Sequence, residues 1–179
     1  MPIPAEPIDE VSAIPAALEG DLAAFAELFQ LHYPTMLAYA YRLCLQKSDA
    51  EDIVQETFIK AARSLQTYRP DAPFLHWLYR ICTNTARDWM RKQTRHDRLA
   101  TELEAGARID EDERCPDHAL AREALASLPE PLRLAMALVY FEGLSHAEAA
   151  RVLGCAEATV SWRIFVGKKQ LKQYLCRHE

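Results

Sequence analysis

Glycine is scarce in this chain, five in 179 residues, and none of the five belongs to a Gly-rich phosphate-cradling loop. Nucleotide chemistry built on such a loop is therefore excluded. Cysteine occurs five times, as Cys44, Cys82, Cys115, Cys155 and Cys176, an odd count with no C-x-x-C pair, and the five read as reduced thiols. Cys115 with His118, or Cys176 with His178, would each need a second ligand pair to hold zinc, and no metal or cofactor is expected. No Lys or Arg precedes Arg42, so the N-terminus lacks the basic segment of a signal peptide. Although half the residues are hydrophobic, no apolar run reaches membrane-spanning length. A cytoplasmic protein without membrane insertion is the expectation.

A formal net charge of −5 argues against nucleic-acid binding only until it is divided along the chain. Residues 1–95 carry −2, residues 96–121 carry −5 and residues 122–179 carry +2. The acid is concentrated in the middle. Phosphates respond to local patches within a Debye length of roughly 8–10 Å, not to the total.

Residues 48–96 organise the chain. Ser48 followed by Glu51 has the spacing of a capping box, which predicts a helix over residues 49–66. At 100° per residue, Ile53, Val54, Thr57, Phe58, Ala61 and Leu65 share one face. The other face carries Asp52, Gln55, Glu56, Ile59 and Arg63. An apolar Ile59 among acids and amides is either an ordinary exposed residue or the anchor of a docking surface.

A second helix is predicted over residues 72–93. Phe74, Trp77, Leu78, Ile81, Cys82, Thr85 and Trp89 line its interior face, opposite His76, Arg80, Thr83, Asn84, Arg87 and Arg91. Between Arg80 and Arg95, five basic residues stand against the single acid Asp88. Guanidinium groups a turn apart suit phosphates, and an asparagine among them can pair with a base edge. A merely solvated basic helix gives the same pattern.

Before this pair, the prolines at 2, 4, 7 and 15 predict a loose arm over residues 1–16. Leu22, Phe25, Leu28 and Phe29 recur at helical spacing, with Phe25, Phe29 and Tyr33 expected in the core, and Pro34 is expected to end one helix and start another containing Leu37, Tyr41 and Cys44. After the pair, acids dominate residues 96–117, an expected linker. Helices follow near residues 118–127 and 130–142, where Leu134, Leu138 and Val139 face inward and Gly143 is the stop. Ser145 and Glu148 form a second capping-box pattern opening a short helix, closed by Gly154. A longer basic helix from Glu157 completes a helix-turn-helix pattern, with Val160, Ile164, Gly167 and Leu171 inward.

The run DAEDIVQETFIKAARSLQTYRPDAPFLHWLYRICTNTARDWMRKQ closely resembles region two of the extracytoplasmic-function sigma factors of bacterial RNA polymerase, including its WLYRI, NTA and basic tail. LASLPEPLRLAMALVYFEGLSHAEAARVLGCAEATVSWRIFVGKKQLKQYL resembles region four, through LP, GLS and TV-x-x-RI-F. The resemblance implies an all-α chain of two small helical domains joined by an acidic linker: an arm over residues 1–16, region two over 17–95, the linker over 96–117 and region four over 118–179. It implies no enzymatic activity, with promoter choice conferred on a core polymerase through the clamp helices and flap of its large subunit. Asp52, Gln55, Glu56, Ile59 and Arg63 would dock on the polymerase. His76, Arg80, Asn84, Arg87 and Arg91 would read and hold the separated minus-ten strand, with Asn84 selecting an unstacked base. Thr159, Trp162, Arg163, Phe165 and Lys169 would meet the minus-thirty-five element, and an anti-sigma protein would control the chain. Ser161 and Val166 replace basic residues common in the family and Trp162 replaces a smaller one, which shifts weight toward thymine-methyl and shape contacts.

Two other classes stay open on the residues alone. A helix-turn-helix repressor or activator would use the N-terminal bundle for dimerisation and bind intact duplex unaided. A cysteine-dependent redox sensor or enzyme would require its thiols.

Overall fold

The computed structural model describes residues 10–100 and 123–178, with side chains described outside 94–100 and His178. Every regular element among the described residues is helical: α1 Glu10–Leu18, α2 Leu22–Cys44, α3 Lys47–Ser64, α4 Phe74–Ala100, α5 Glu130–Met136, α6 His146–Leu153 and α7 Glu157–His178, with a helical turn over 123–126 ahead of α5, where a helix was expected near 118–127. A short 3-10 turn, Leu65–Thr67, ends α3, and a π-helical turn, Ala137–Phe141, extends α5.

The first bundle closes because three helices each carry one apolar stripe. Leu28, Met36, Tyr39 and Leu43 of α2 meet Ile53, Val54 and Phe58 of α3 and Phe74, Leu78, Tyr79 and Cys82 of α4, all buried. Burying a side chain of this size contributes about 1.5–3 kcal/mol. Tyr39 and Thr83 share a hydrogen bond of 2.8 Å inside this core. That bond corrects the expectation that Thr83 lies on the outer face of α4, because a satisfied hydroxyl is cheap to bury.

The prolines behave differently from expectation. Residues 10–18 form a helix through Pro15, packing the buried Ala13 and Ala17 on the bundle, so the arm of residues 1–16 is not loose throughout; residues 1–9 lie outside the described residues. Pro34 neither ends nor starts a helix but sits exposed inside the 23-residue α2. Its fixed φ is helical, and on a solvent face the backbone carbonyl it leaves can be hydrated. The start of α2 is instead marked by Asp21, whose Oδ1 accepts from the amides of Ala23 at 2.8 Å and Ala24 at 3.3 Å.

Helix α3 begins one residue before Ser48, with Gln46 at the cap position and no side-chain cap bond, so the capping box expected at Ser48 and Glu51 does not form. The second one does. Ser145 Oγ accepts from the Glu148 amide at 3.3 Å, and Glu148 Oε2 accepts from the Ser145 amide at 2.8 Å. Gly154 closes α6 in the left-handed conformation, with φ of 66°, which costs glycine nothing. Val160 and Ile164 of α7 then pack with Leu134, Leu138, Val152 and Leu153, in a core continuous with that of the first bundle. A Cβ at Gly167 would lie 3.1 Å from Met136 Cγ, so the missing side chain permits the close approach of α7 to α5. The helix expected from 130 to 142 is α-helical only to Met136. Beyond it the Glu142 amide bonds to the Ala137 carbonyl, five residues back, at 3.2 Å, and this wider turn carries Phe141 and Glu142 away from the α5 axis. The linker expected over 96–117 starts while α4 is still helical, through Ala100, and the rest of it lies outside the described residues.

His32 is a buried imidazole of the first bundle, 3.7 Å from Glu10 Oε1 and against the Phe74 ring at 5.6 Å. Burial lowers its pKa below 6.5, with Glu10 opposing in part. The unfolded chain therefore takes up a proton near pH 6.5 while the folded chain resists it until lower pH. Stability is complete above pH 6.5 and falls on acidification through the folded pKa. The thermal midpoint of the native chain should drop below pH 6.5 more steeply than that of His32→Gln, as read by circular dichroism.

Candidate functional site

Because α3 and α4 bury their apolar stripes against α2, their remaining faces must point away from the bundle. Asp52, Gln55, Glu56, Ile59 and Arg63 are all exposed on α3, as the periodicity requires. Asp52, Gln55 and Ile59 form a ridge between two grooves. On one side a groove of about 630 Å³ runs between α3 and α4, where Glu56 and Lys60 face Asp88, Trp89, Arg91 and Lys92. Lys60 bridges the two helices, 3.5 Å from Glu56 Oε1 and donating to Thr85 Oγ1 at 3.3 Å.

On the other side of the ridge a groove of about 640 Å³ is lined by Phe25, Phe29, Tyr33 and Phe58. Phe25, Phe29 and Tyr33, the α2 aromatics, were expected to be core. They are only half-buried, packed together with ring centroids 5.3 Å apart for Phe29 and Tyr33 and 4.5 Å for Phe29 and Phe58. Sequence periodicity missed their second role because a stripe at the margin of a core has the same spacing as one at its centre. The surface around Ile59 thus combines exposed carboxylates with accessible aromatic area, the composition of a protein-docking patch.

The outer face of α4 presents Arg80 and Asn84, both exposed, and Arg91, which lies 3.8 Å from Asp88 Oδ1 and is largely solvated. Asn84 Oδ1 accepts from Arg87 Nη1 at 3.3 Å. Arg87 is different. Its side chain is only 20% exposed and its Nε donates to Glu130 Oε1 at 3.2 Å, a contact made by the second bundle. His76 is half-covered and within electrostatic reach of Glu148 at the start of α6. The Glu148 carboxyl is held below the usual carboxylate range chiefly by the Ser145 hydroxyl and amide.

In the helix-turn-helix, Trp162 and Phe165 stand out at 61% and 70% exposure, and Lys169 is exposed beside them. Phe165 therefore belongs to the surface. Thr159 and Arg163 are half-buried, and Arg163 turns back so that Nη1 lies 3.8 Å from Cys155 Sγ. Ser161 Oγ is 2.9 Å from His146 Nδ1, tying the two helices of the motif. Lys168 lies over the Tyr140 ring at 5.0 Å.

Among the described residues no cluster of three or more His, Cys, Asp or Glu could hold a metal ion, and no helix is long and apolar enough to cross a membrane. The Cys44 and Cys82 thiols are pushed up by burial to about 11 and about 12, which keeps both in the unreactive protonated form.

The described residues thus form two helical units, the second a helix-turn-helix. Residues 28–96 match the model of Sigma-70 region 2, and residues 118–171 match that of Sigma-70, region 4. The chain is 31% identical over 182 residues to the ECF RNA polymerase sigma-E factor of Haemophilus influenzae, covering 94% of this chain and 96% of that one. It is 39% identical over 171 residues to the ECF RNA polymerase sigma factor SigE of Mycolicibacterium smegmatis, covering 89% of this chain and 65% of that relative. Among solved structures, CnrH in complex with the cytosolic domain of CnrY has a TM-score of 0.71 at 27% identity, covering 97% of this chain and 100% of that one. The sigma factor RpoE in complex with the anti-sigma factor NepR from Bartonella quintana also has a TM-score of 0.71 at 27% identity, over 84% of this chain and 96% of that one. The chain belongs to the extracytoplasmic-function RNA polymerase sigma factors.

Proposed function

We propose that this chain is a non-enzymatic initiation factor, acting in the cytoplasm, that docks on core RNA polymerase through α3 and directs it to promoters through α4 and α7, under the control of an anti-sigma protein. The observation that carries this reading is the outward projection of an acidic, Ile59-centred ridge on α3 and a cationic row on α4 from a single core. Residues 17–95 form the unit that engages polymerase and the minus-ten element, 118–179 the unit for the minus-thirty-five element, and 96–117 the acidic connector.

Asp52, Gln55, Glu56, Ile59 and Arg63 contact the clamp helices, with Phe25, Phe29 and Tyr33 extending the patch. Asn84 reads a base that has left the stack, where hydrogen-bonding edges inaccessible in the duplex become available. Arg80, Arg87 and Arg91 hold phosphates, with His76 beside them. Trp162 and Phe165 supply apolar contacts to thymine methyl groups, Thr159 and Arg163 line the same helix, and Lys169 meets phosphate. The similarity to sigma factors solved with CnrY and NepR supports an anti-sigma partner. The polymerase flap is the expected seat of the second bundle.

Glu56→Arg should abolish co-purification with core polymerase while leaving the helical circular-dichroism spectrum unchanged, since the side chain is exposed and its one ion pair among the described residues is with Lys60. Association at the native level would remove α3 as the docking face. In reconstituted transcription, Asn84→Ala should change the base preferred in the minus-ten element, whereas Arg80→Ala should weaken all promoters alike and reduce the salt slope by about one. Indistinguishable effects on preference would defeat that division.

A further inference from the structure

The exposed side of α7 changes character along its length. Ala158, Trp162 and Phe165 come first, and Lys169 and Lys172 continue the same face. Positive charge on that face therefore begins well into the helix. The polar side chains of the first turns are turned to other work. Ser161 Oγ is 2.9 Å from His146 Nδ1 on α6. Arg163, the one guanidinium of α7 before Arg177, is half-buried away from that face, and its Nη1 donates to Cys155 Sγ at 3.8 Å in the turn between α6 and α7. Glu157 is exposed, but a carboxylate only accepts, and guanine offers the major groove two acceptors.

The first turns of a helix-turn-helix reader are those that meet base edges. Here they offer aromatic area, with Trp162 61% and Phe165 70% exposed. Two open rings followed by lysines fit a ligand that is apolar at its centre and anionic at its flank. Duplex DNA has that layout where a pyrimidine C5-methyl projects into the major groove beside the phosphates. Lys169 and Lys172 favour such a duplex over a protein partner, because both continue the face that carries the rings.

We propose that α7 reads the C5-methyl group of pyrimidines, chiefly through Trp162 with Phe165 beside it, so that thymine and 5-methylcytosine are one ligand to it. This deepens, and rests on, the assignment of α7 to the minus-thirty-five element. Trp162 determines specificity by touching the methyl group, whereas Arg163 braces the turn and selects no base. An apolar contact at C5 does not register the exchange of thymine O4 for the cytosine amino group, so the methyl alone decides.

The test uses the full chain with core polymerase on a promoter selected from a random library. Modified bases are placed one at a time in the upstream element, and open complexes are titrated by abortive transcription. Scrambling the whole element should strongly reduce open complexes, which checks the α7 assignment itself. Deoxyuridine in place of thymine removes only the methyl, and at one or two positions it should weaken the complex about fourfold, the effect of one buried methyl. At those positions 5-methylcytosine should exceed cytosine by the same factor. Trp162→Ala, with its helical circular-dichroism spectrum retained, should bring both ratios to one. If scrambling matters but deoxyuridine does nothing anywhere, the methyl inference is wrong while the α7 assignment stands, and loss of binding with 7-deazaguanine would then show that guanine is read instead. A 5-methylcytosine no better than cytosine at a uridine-sensitive position overturns the equivalence. Ratios unchanged in both Trp162→Ala and Phe165→Ala overturn the role of the rings. If Trp162→Ala lowers transcription equally on native and scrambled elements, the rings bind protein and the proposal fails. If scrambling has no effect, the α7 assignment falls and this inference with it.

Discussion

The burial of one stripe of α4 fixes the orientation of its outer, cationic face. Phe74, Leu78, Tyr79, Cys82 and Ala86 are all inside, and the Tyr39–Thr83 hydrogen bond within that stripe sets the rotation of α4 against α2. A rotation about the α4 axis by one residue would expose those apolar groups and turn Arg80 and Asn84 toward the core, where an unpaired guanidinium is strongly unfavourable. The cationic row is outside because nothing in the core can neutralise it.

Electrostatics then divides the labour. Exposed ion pairs such as Lys60 with Glu56 and Arg91 with Asp88 contribute little to stability, of the order of 0–1 kcal/mol, and exchange readily for a partner. Arg42 with Glu142, at 2.6 Å, belongs to a different class, because the Glu142 side chain is enclosed and charged hydrogen bonds strengthen where water is excluded. The described structure is therefore firm where the two bundles meet at Glu142 and open along α3. Docking of a partner on α3, as proposed, needs no buried contact to break, whereas full access to the α4 row needs Arg87 to leave Glu130.

Much of this was legible in the sequence wherever one short-range rule dominates. The period of α3 and α4 located their faces, and Ser145, Glu148 and Gly154 located α6. Local rules failed where a neighbour outweighed them. Pro15 and Pro34 continue helices because packing on either side holds the backbone, and the capping box at Ser48 is unused because α3 begins earlier. Thr83 is buried because Tyr39, 44 residues away, satisfies it. Phe25, Phe29 and Tyr33 line a groove because α3 leaves their outer edges uncovered. Contacts between the bundles had no signal at all, since Arg42 and Glu142 are separated by 100 residues and neither stands in a motif that points to the other.

A sigma factor must supply, as a single chain, promoter choice to a polymerase that lacks it. Run-off transcription by purified core polymerase on a library of random promoters measures this directly. Addition of the chain should yield discrete transcripts from a shared pair of upstream elements, absent with core alone. Transcripts no different from those of core alone, or sequence-specific duplex binding that proceeds equally well without polymerase, would contradict it.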